Sequence, residues 1–359
     1  MASLIYKRLF KLALTAVLVG CAGEPVPYYD QYSTPVPRQS QVRPPLYPAT
    51  PPAQPYPNAY NRLPFPQTQG QRTLTGTYAN SFAVRGFIQH MVQKHGFSET
   101  YLNSLFARAN RLDSVIRLES PAPSTGPSKP RLGSWTRYRN KFLTDAHISN
   151  GVEFWRNNAD AIQQASAAYG VDPEYIVGII GVETYFGKNF GKTCIFDALT
   201  TLSFDTFRRS KYFMSELESF LLMTRDEGFD PLQPQGSWAG AMGYGQFMPS
   251  SFRKLAVDFN HDGRRDLWHP KDAVGSVANY FSRSGWQLHN PVTRQADGAG
   301  DPSVIELSTY EGNEFWHTYP NFKVIKKYNN SNKYAMAVHQ LAQAIKQQYQ
   351  QTYVGQSRY

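Results

Sequence analysis

The residue best suited to proton-transfer chemistry in this sequence is Glu183, because it falls on the apolar side of a predicted helix. Four residues of the segment IVGIIGVETYFG occupy positions i, i+3, i+4 and i+7 of one helical face: Ile176, Ile179, Ile180 and Glu183. Burial disfavours a charged carboxylate and raises its pKa, as a general acid requires at neutral pH. A structural glutamate held by buried donors, or one that reaches water at the helix end, fits the same pattern.

A second group of residues that could contact a ligand lies in the glycine-rich segment GSWAGAMGYGQFMPSSF, residues 236–252. It includes Ser237 and Gln246 among four glycines, and glycine lets the backbone and small polar side chains approach a ligand closely. The spacing does not match a phosphate-binding loop, because no Gly-Lys-Ser or Gly-Lys-Thr follows. A glycine-rich turn with a purely structural role is the alternative.

The segment DFNHDGRRDLWH, residues 258–269, resembles the calcium-binding loop of an EF-hand. His269 stands at position twelve, where a bidentate carboxylate is usual, and Arg265 stands at the customarily apolar position eight. The sequence therefore predicts a weak, structural calcium site, with a metal-free Asx-rich turn as the alternative. The predicted ligands are the residues at positions one, three, five, seven and nine: Asp258, Asn260, Asp262, Arg264 and Asp266.

The elements that position these residues are mainly helices, because helical periodicity begins near residue 81 and continues over most of the chain. The pattern predicts helices near 82–92 and 99–106, a loop at 119–134 and one long helix over 150–169. Asp172, Pro173 and Glu174 provide an N-cap, a first-turn proline and an acidic residue for the helix that carries Glu183. A small β region is expected over 303–324, with extended segments at 304–307 and 322–325, and a last helix over 332–350.

The first residues are typical of an export signal that ends at a lipid attachment point. Lys7, Arg8 and Lys11 precede a short apolar run, and the ending LVGC places Cys21 after a small residue, as in bacterial lipoprotein signals. An ordinary secretory peptide cleaved near Ala22 is the alternative. Because the residue after Cys21 is not the aspartate typical of inner-membrane retention, the outer membrane is favoured. Thirteen of the 25 prolines fall within 25–66, a composition that predicts an extended linker rather than a core.

The composition of the chain limits the classes of protein to which it can belong. The chain has 359 residues, of which 41% are hydrophobic and 18% charged, so a highly charged disordered protein is excluded. A formal net charge of +10 favours an anionic partner or a cell surface. Cys21 and Cys194 are the two cysteines, and their positions exclude a disulfide framework and a cysteine-zinc site.

Four motifs in order resemble those of the lytic murein transglycosylases: Glu183-Thr184, Gly243-Tyr244-Gly245-Gln246, Val277-Ala278-Asn279-Tyr280 and Tyr334-Ala335-Met336-Ala337-Val338. The resemblance covers roughly residues 78–350. It implies a mainly α (α+β) fold, with a lysozyme-like helical core, an added helical subdomain and a small β insertion. The expected organisation is a signal peptide (1–20), a lipid-attached proline-rich linker (21–76), an N-terminal helical subdomain (77–145), a catalytic core (146–287), the β region (288–324) and the C-terminal part of the core (325–359).

The resemblance also implies roles for single residues. Glu183 corresponds to the one catalytic acid and base, Ser237 to the serine beside the scissile sugar, and Gln246 to the glutamine of the cleft. The other residues that match the family's substrate-binding positions are Tyr138, Arg208, Arg209, Tyr212, Tyr280, Tyr328, Asn329 and Tyr334. Without the resemblance, these tyrosines would be assigned to the core and the two arginines to a solvated face.

The activity that the resemblance implies is cleavage of the β-1,4 bond between N-acetylmuramic acid and N-acetylglucosamine, with formation of 1,6-anhydromuramic ends. No cofactor is expected for catalysis. The expected partners are peptidoglycan glycan strands, outer-membrane lipid through Cys21 and proteins of cell-wall synthesis or lysis, and nucleic acid is not expected. The resulting location is the outer membrane, facing the periplasm. A lysozyme-like muramidase and a non-catalytic peptidoglycan-binding lipoprotein are the alternatives.

Overall fold

Helices make up most of the chain that the computed structural model describes, which is residues 70–120 and 132–354. The mainly α prediction is therefore confirmed. None of the described helices has the length and hydropathy that a membrane span needs. The predicted signal peptide, Cys21 and nearly all of the linker lie outside the described residues.

The α-helices are α1 (Phe82–His95), α2 (Glu99–Ala107), α3 (Asp113–Glu119), α4 (Ser134–Arg139), α5 (Asp145–Asn157), α6 (Ala159–Tyr169), α7 (Pro173–Thr184), α8 (Ile195–Phe204), α9 (Ser210–Glu227), α10 (Pro249–Leu255), α11 (Pro270–Arg283), α12 (Pro320–Tyr328) and α13 (Asn332–Tyr349).

Local capping sets the helix boundaries that the sequence indicated. The Ser81 and Ser98 hydroxyls accept hydrogen bonds from the third residue after each, at the starts of α1 and α2. Gly170 ends α6 in the left-handed conformation, and Pro173 is the first residue of α7. They confirm the predicted helix end at Gly170 and the predicted start of α7 at Pro173.

The single long helix predicted over 150–169 is wrong, because Asn158 separates α5 from α6. The backbone of Asn158 leaves the helical region at φ −125° and ψ 24°. Its side-chain amide donates to the Phe154 carbonyl oxygen at 2.9 Å, beside the helical hydrogen bond from its own backbone N–H at 3.1 Å, and such local side-chain bonds are typical of helix ends. Helix α5 also begins earlier than predicted, at Asp145, where the Thr144 hydroxyl caps it.

The β region is a three-stranded antiparallel sheet in the order β3-β5-β4, formed by β3 (Thr293–Ala296), β4 (Val304–Ser308) and β5 (Asn313–Thr318). The strand predicted at 304–307 is confirmed. The extended segment predicted at 322–325 is wrong, because those residues lie in α12, which starts with Pro320 and buries Phe322 and Ile325 on one helical face. The sequence also missed β3 and the two-residue pair β1 (Thr193–Cys194) and β2 (Gln235–Gly236).

Helix α7 lies at the centre of the fold and is buried on nearly every side. It packs against α13, α5, α6 and α11. The close contact with α13 depends on Gly178, because an added Cβ there would lie 3.0 Å from the Ala342 Cβ and 3.1 Å from the Val338 carbonyl oxygen. This packing fixes the helix whose last turn carries Glu183.

Candidate active site

Glu183 lies in the last turn of α7, where the chain leaves the core. The next two residues after Thr184 are in the left-handed region, with φ 52° at Tyr185 and φ 57° at Phe186. Non-glycine residues rarely adopt this conformation, because their Cβ atoms come too close to the backbone. Such strain often occurs at functional sites, where the surrounding structure holds it. Here it turns the chain sharply beside the carboxylate.

Glu183 is a half-buried residue, and its carboxylate meets the buried Tyr334. The Tyr334 hydroxyl donates a hydrogen bond to Glu183 Oε1 at 2.6 Å. Burial raises the pKa of Glu183 from its ordinary value of 4.5 to about 7, against the opposing effect of this hydrogen bond. No carboxylate is among the described groups that shift this pKa. At neutral pH, Glu183 can therefore exist in both the protonated and the ionised form, as one residue that gives and later takes a proton requires.

Tyrosine side chains surround the carboxylate. The rings of Tyr280 and Tyr328 lie 4.6 Å apart, and their hydroxyls donate to the carbonyl oxygens of Lys327 (2.7 Å) and Gly245 (2.5 Å). Burial and the negative charge of Glu183 raise the pKa of Tyr280 to about 12 and that of Tyr328 well above its ordinary range. The pKa of Tyr334 is raised well above its ordinary range for the same two reasons. These phenols stay neutral at neutral pH, so they can donate hydrogen bonds but cannot act as bases.

Thr184 joins the end of α7 to the glycine-rich segment. Its hydroxyl donates to the Tyr244 carbonyl oxygen at 3.0 Å and accepts from the Gly187 N–H at 3.1 Å. A Cβ at Gly187 would lie 2.2 Å from the Tyr244 ring, so this approach requires a glycine. The sequence pattern placed Thr184 in a motif but gave no sign of this bridge, because Tyr244 is 60 residues away.

Ser237 and Gln246 both come from the glycine-rich segment, and each keeps part of its hydrogen-bonding capacity. The buried Ser237 hydroxyl accepts from the backbone N–H groups of Ala239 (3.3 Å) and Ala241 (3.0 Å). Its own hydrogen has no acceptor among the described residues. Gln246, at φ 50°, donates from Nε2 to the carbonyl oxygens of Phe190 and Gly243, so Oε1 is left to accept.

Tyr138 and Asn329 complete the predicted cleft residues. Tyr138 packs between Trp135 and Phe142, whose ring centroids are 6.4 Å and 5.4 Å from its own. A negative charge on ionised Tyr138 would raise the pKa of Tyr334. Asn329 ends α12, directly after Tyr328, and is partly exposed. The substrate contacts of both residues remain predictions.

Arg208, Arg209 and Tyr212 lie at the start of α9. Arg208 is exposed, whereas the Arg209 guanidinium forms a two-pronged ion pair with the buried Glu119 carboxylate. Arg209 therefore holds α9 to α3, a structural role that the sequence did not indicate. Tyr212 is 45% exposed and meets Phe213 edge-on. Their predicted contacts with substrate remain predictions.

The EF-hand-like loop forms a compact set of Asx turns. The Asp258 carboxylate accepts from the N–H groups of Asp262 (3.2 Å) and Gly263 (2.8 Å), and Asn260 Oδ1 accepts from the Asp262 N–H (3.0 Å). Beneath the loop, the fully buried Asp272 carboxylate accepts three backbone N–H groups and fixes it to α11. The oxygen donors at the first positions fit calcium, but His269 offers nitrogen at position twelve, so the fit is partial.

Taken together, a helical core and one carboxylate of raised pKa among neutral tyrosines fit a lysozyme-like fold. The chain belongs to the family described as the transglycosylase SLT domain, whose model matches residues 79–303 and 293–343. It is 48% identical, over 305 residues, to the membrane-bound lytic murein transglycosylase B of Escherichia coli, covering 75% of this chain and 84% of that protein.

Solved structures give the same family. The Escherichia coli lytic transglycosylase SLT35, in complex with bulgecin A, is 44% identical and has a TM-score of 0.73, covering 79% of this chain and 99% of that one. The same protein is known in complex with calcium, with the same similarity. SltB3 of Pseudomonas aeruginosa, in complex with NAG-anhNAM-pentapeptide, is 27% identical with a TM-score of 0.64, covering 73% of this chain and 78% of that one.

Proposed function

We propose that this protein cleaves the glycan strands of peptidoglycan as a lytic transglycosylase, with Glu183 as the acid and then the base. Family membership makes the chain an enzyme of this kind, a lyase that acts on peptidoglycan. The observation that supports the role of Glu183 is its raised pKa beside the single hydrogen bond from Tyr334.

In the first step, the protonated Glu183 would give its proton to the glycosidic oxygen, and the bond from that oxygen to the muramic anomeric carbon would break. Ordinary glycosidases then use a second carboxylate, as nucleophile or to activate water. In the second step, the ionised Glu183 would take the proton of the muramic carbon-6 hydroxyl, whose oxygen bonds to the anomeric carbon and closes the 1,6-anhydro ring. Glu183 ends protonated, so no other acid, base or cofactor is needed.

Tyr334 would orient Glu183 through both steps. Its hydrogen bond to Oε1 favours the ionised form, which opposes the effect of burial and keeps the pKa near neutrality. An attack by the tethered carbon-6 hydroxyl also gains from proximity, which free water lacks.

The remaining cleft residues would bind the sugar. The paired rings of Tyr280 and Tyr328 suit the C–H faces of pyranose rings, while the free hydrogen of Ser237 and the amide oxygen of Gln246 suit sugar hydroxyl and acetamido groups. Arg208 offers an exposed positive charge for lactyl or stem-peptide carboxylates.

The loop 258–269 would hold a weak structural calcium ion, as the calcium complex of SLT35 suggests for this family. Asp258, Asn260, Asp262 and Asp266 would supply side-chain oxygens and Arg264 its backbone carbonyl, and the ion would stiffen the turn before α11. Catalysis would not pass through it.

The enzyme would be anchored in the outer membrane through lipid on Cys21 and would face the periplasm. The lipoprotein-like ending at Cys21 and the membrane-bound relative in Escherichia coli support this proposal. The proline-rich segment would then space the enzyme from the membrane.

A matched pair of variants tests the role of Glu183. Purified Glu183→Gln should lose at least about a hundredfold in turnover of glycan strands, the lower end for general acid-base catalysis. Glu153→Gln, an exposed carboxylate on α5, should keep the wild-type rate. Near wild-type turnover by folded Glu183→Gln would remove Glu183 from the mechanism.

A further inference from the structure

Two histidines and one carboxylate meet between α1 and α9. His90 Nε2 lies 3.1 Å from Glu218 Oε2, and His95 Nε2 lies 2.7 Å from Glu218 Oε1. The three donor atoms lie within 4.8 Å of one another, and in the part of the chain that is described no other trio of His, Cys, Asp or Glu side chains forms such a group. We propose that His90, His95 and Glu218 bind a divalent transition metal ion, zinc, and thereby clamp α1 to α9.

The donor set determines which ion fits. Two imidazoles and one carboxylate suit zinc, whereas calcium and magnesium prefer oxygen ligands. Tetrahedral zinc with bonds of about 2.0–2.1 Å places neighbouring donors about 3.3 Å apart, close to the spacings between the histidine nitrogens and the carboxylate oxygens. Small side-chain movements would therefore admit the ion, which would take the place of the present hydrogen bonds.

The surroundings hold two of the ligands and leave one side open. The side chains of His95 and Glu218 are 17% and 21% exposed, and Arg225 donates to the His95 carbonyl oxygen at 2.8 Å, which fixes the end of α1. His90, at 44% exposure, and Glu218 line an open cleft of about 450 Å³ beside Phe87. This cleft provides an entry path and room for water as the fourth ligand.

Two lysines limit the affinity. Lys94 Nζ lies 3.0 Å from Glu218 Oε1 and must move when the ion binds, and Lys211 lines the same cleft. The Lys94 side chain is 56% exposed, and such surface ion pairs contribute little, so its displacement is possible. The site should therefore bind zinc more weakly than closed four-ligand structural sites, and Lys94→Gln should bind it more tightly than wild type.

The test is a calorimetric titration of the metal-stripped, full-length protein with zinc chloride, in excess calcium so that the loop 258–269 is occupied. We expect one zinc ion per chain and a rise in melting temperature by linkage. His95→Gln and His90→Gln should each lose at least about tenfold in affinity. His261→Gln, an exposed histidine of the calcium-like loop, is the matched control and should bind as wild type does.

Melting in chelator checks that each variant is folded, and the exposed position of His90 makes its substitution the least disturbing. Absence of zinc binding by the wild type would overturn the proposal. So would unchanged affinity in folded His90→Gln, equal loss in His261→Gln, or weaker binding by Lys94→Gln.

Discussion

Glu183→Gln should make the protein more stable above neutral pH, although it lowers turnover at least about a hundredfold. The carboxylate titrates near 4.5 in the unfolded chain and near 7 in the folded one, because burial disfavours its charged form. Between these pH values the folded chain binds more protons than the unfolded chain, so stability falls as pH rises. The loss is complete above the folded pKa and amounts to roughly 3 kcal/mol. Glutamine does not titrate and can still accept the Tyr334 hydrogen bond, so the variant should not lose this stability at alkaline pH.

Denaturant unfolding of wild type and variant at about pH 4 and about pH 8 measures this difference. The free energies of unfolding should differ little at the acidic pH, and the variant should gain roughly 3 kcal/mol relative to wild type at the alkaline pH. Glu153→Gln, which replaces an exposed carboxylate on α5, should show no such change with pH. A gain for Glu183→Gln that is the same at both pH values would refute the inference that desolvation raises this pKa.

Three further variants test the neighbouring claims. Tyr334→Phe removes the hydrogen bond that favours ionised Glu183, so the alkaline limb of the activity profile should move up by about one pH unit; an unmoved limb would contradict this coupling. Calcium should raise the melting temperature with roughly millimolar affinity, and Asp258→Ala should abolish the rise; a calorimetric titration without heat would reduce the loop to a turn. Cys21→Ala should move the protein out of the membrane fraction, and unchanged fractionation would argue against a lipid anchor.

The helix that carries Glu183 could be predicted because its signals are local. The apolar spacing of the isoleucines and the proline at its first position are properties of consecutive residues, and the structure buries that face as expected. The close approach of α13 depends on Gly178, where an added Cβ would meet Ala342. The identity of the contacting atoms required the folded chain.

Long-range contacts set the properties of the carboxylate, and the sequence could not reveal them. Tyr334 stands 151 residues from Glu183, and its hydroxyl reaches the carboxylate only because α13 packs on α7. Resemblance to the family drew attention to this tyrosine, but periodicity would have assigned it to the core. Both are correct, since its ring is buried and its hydroxyl meets Glu183.

The errors in the predicted elements also have physical causes. At Asn158, where the helical pattern is interrupted, the side chain donates a hydrogen bond to the preceding turn. The spacing of hydrophobic residues carries no information about such a bond. The segment 322–325 alternates like a strand, yet Pro320 starts a helix there. The sequence pattern would assign Arg209 to a solvated face, and it gave no sign of the ion pair with the buried Glu119, 90 residues earlier.

The most direct test of the central claim is digestion of peptidoglycan sacculi in heavy-oxygen water, followed by mass spectrometry of the products. If Glu183 alone serves as acid and base and the carbon-6 hydroxyl attacks, the muramic ends should be anhydro products, one water lighter than hydrolytic ends and free of heavy oxygen. Tyrosine neighbours that stay neutral offer no base to activate water. Mostly labelled reducing ends would contradict the account and identify the enzyme as a muramidase.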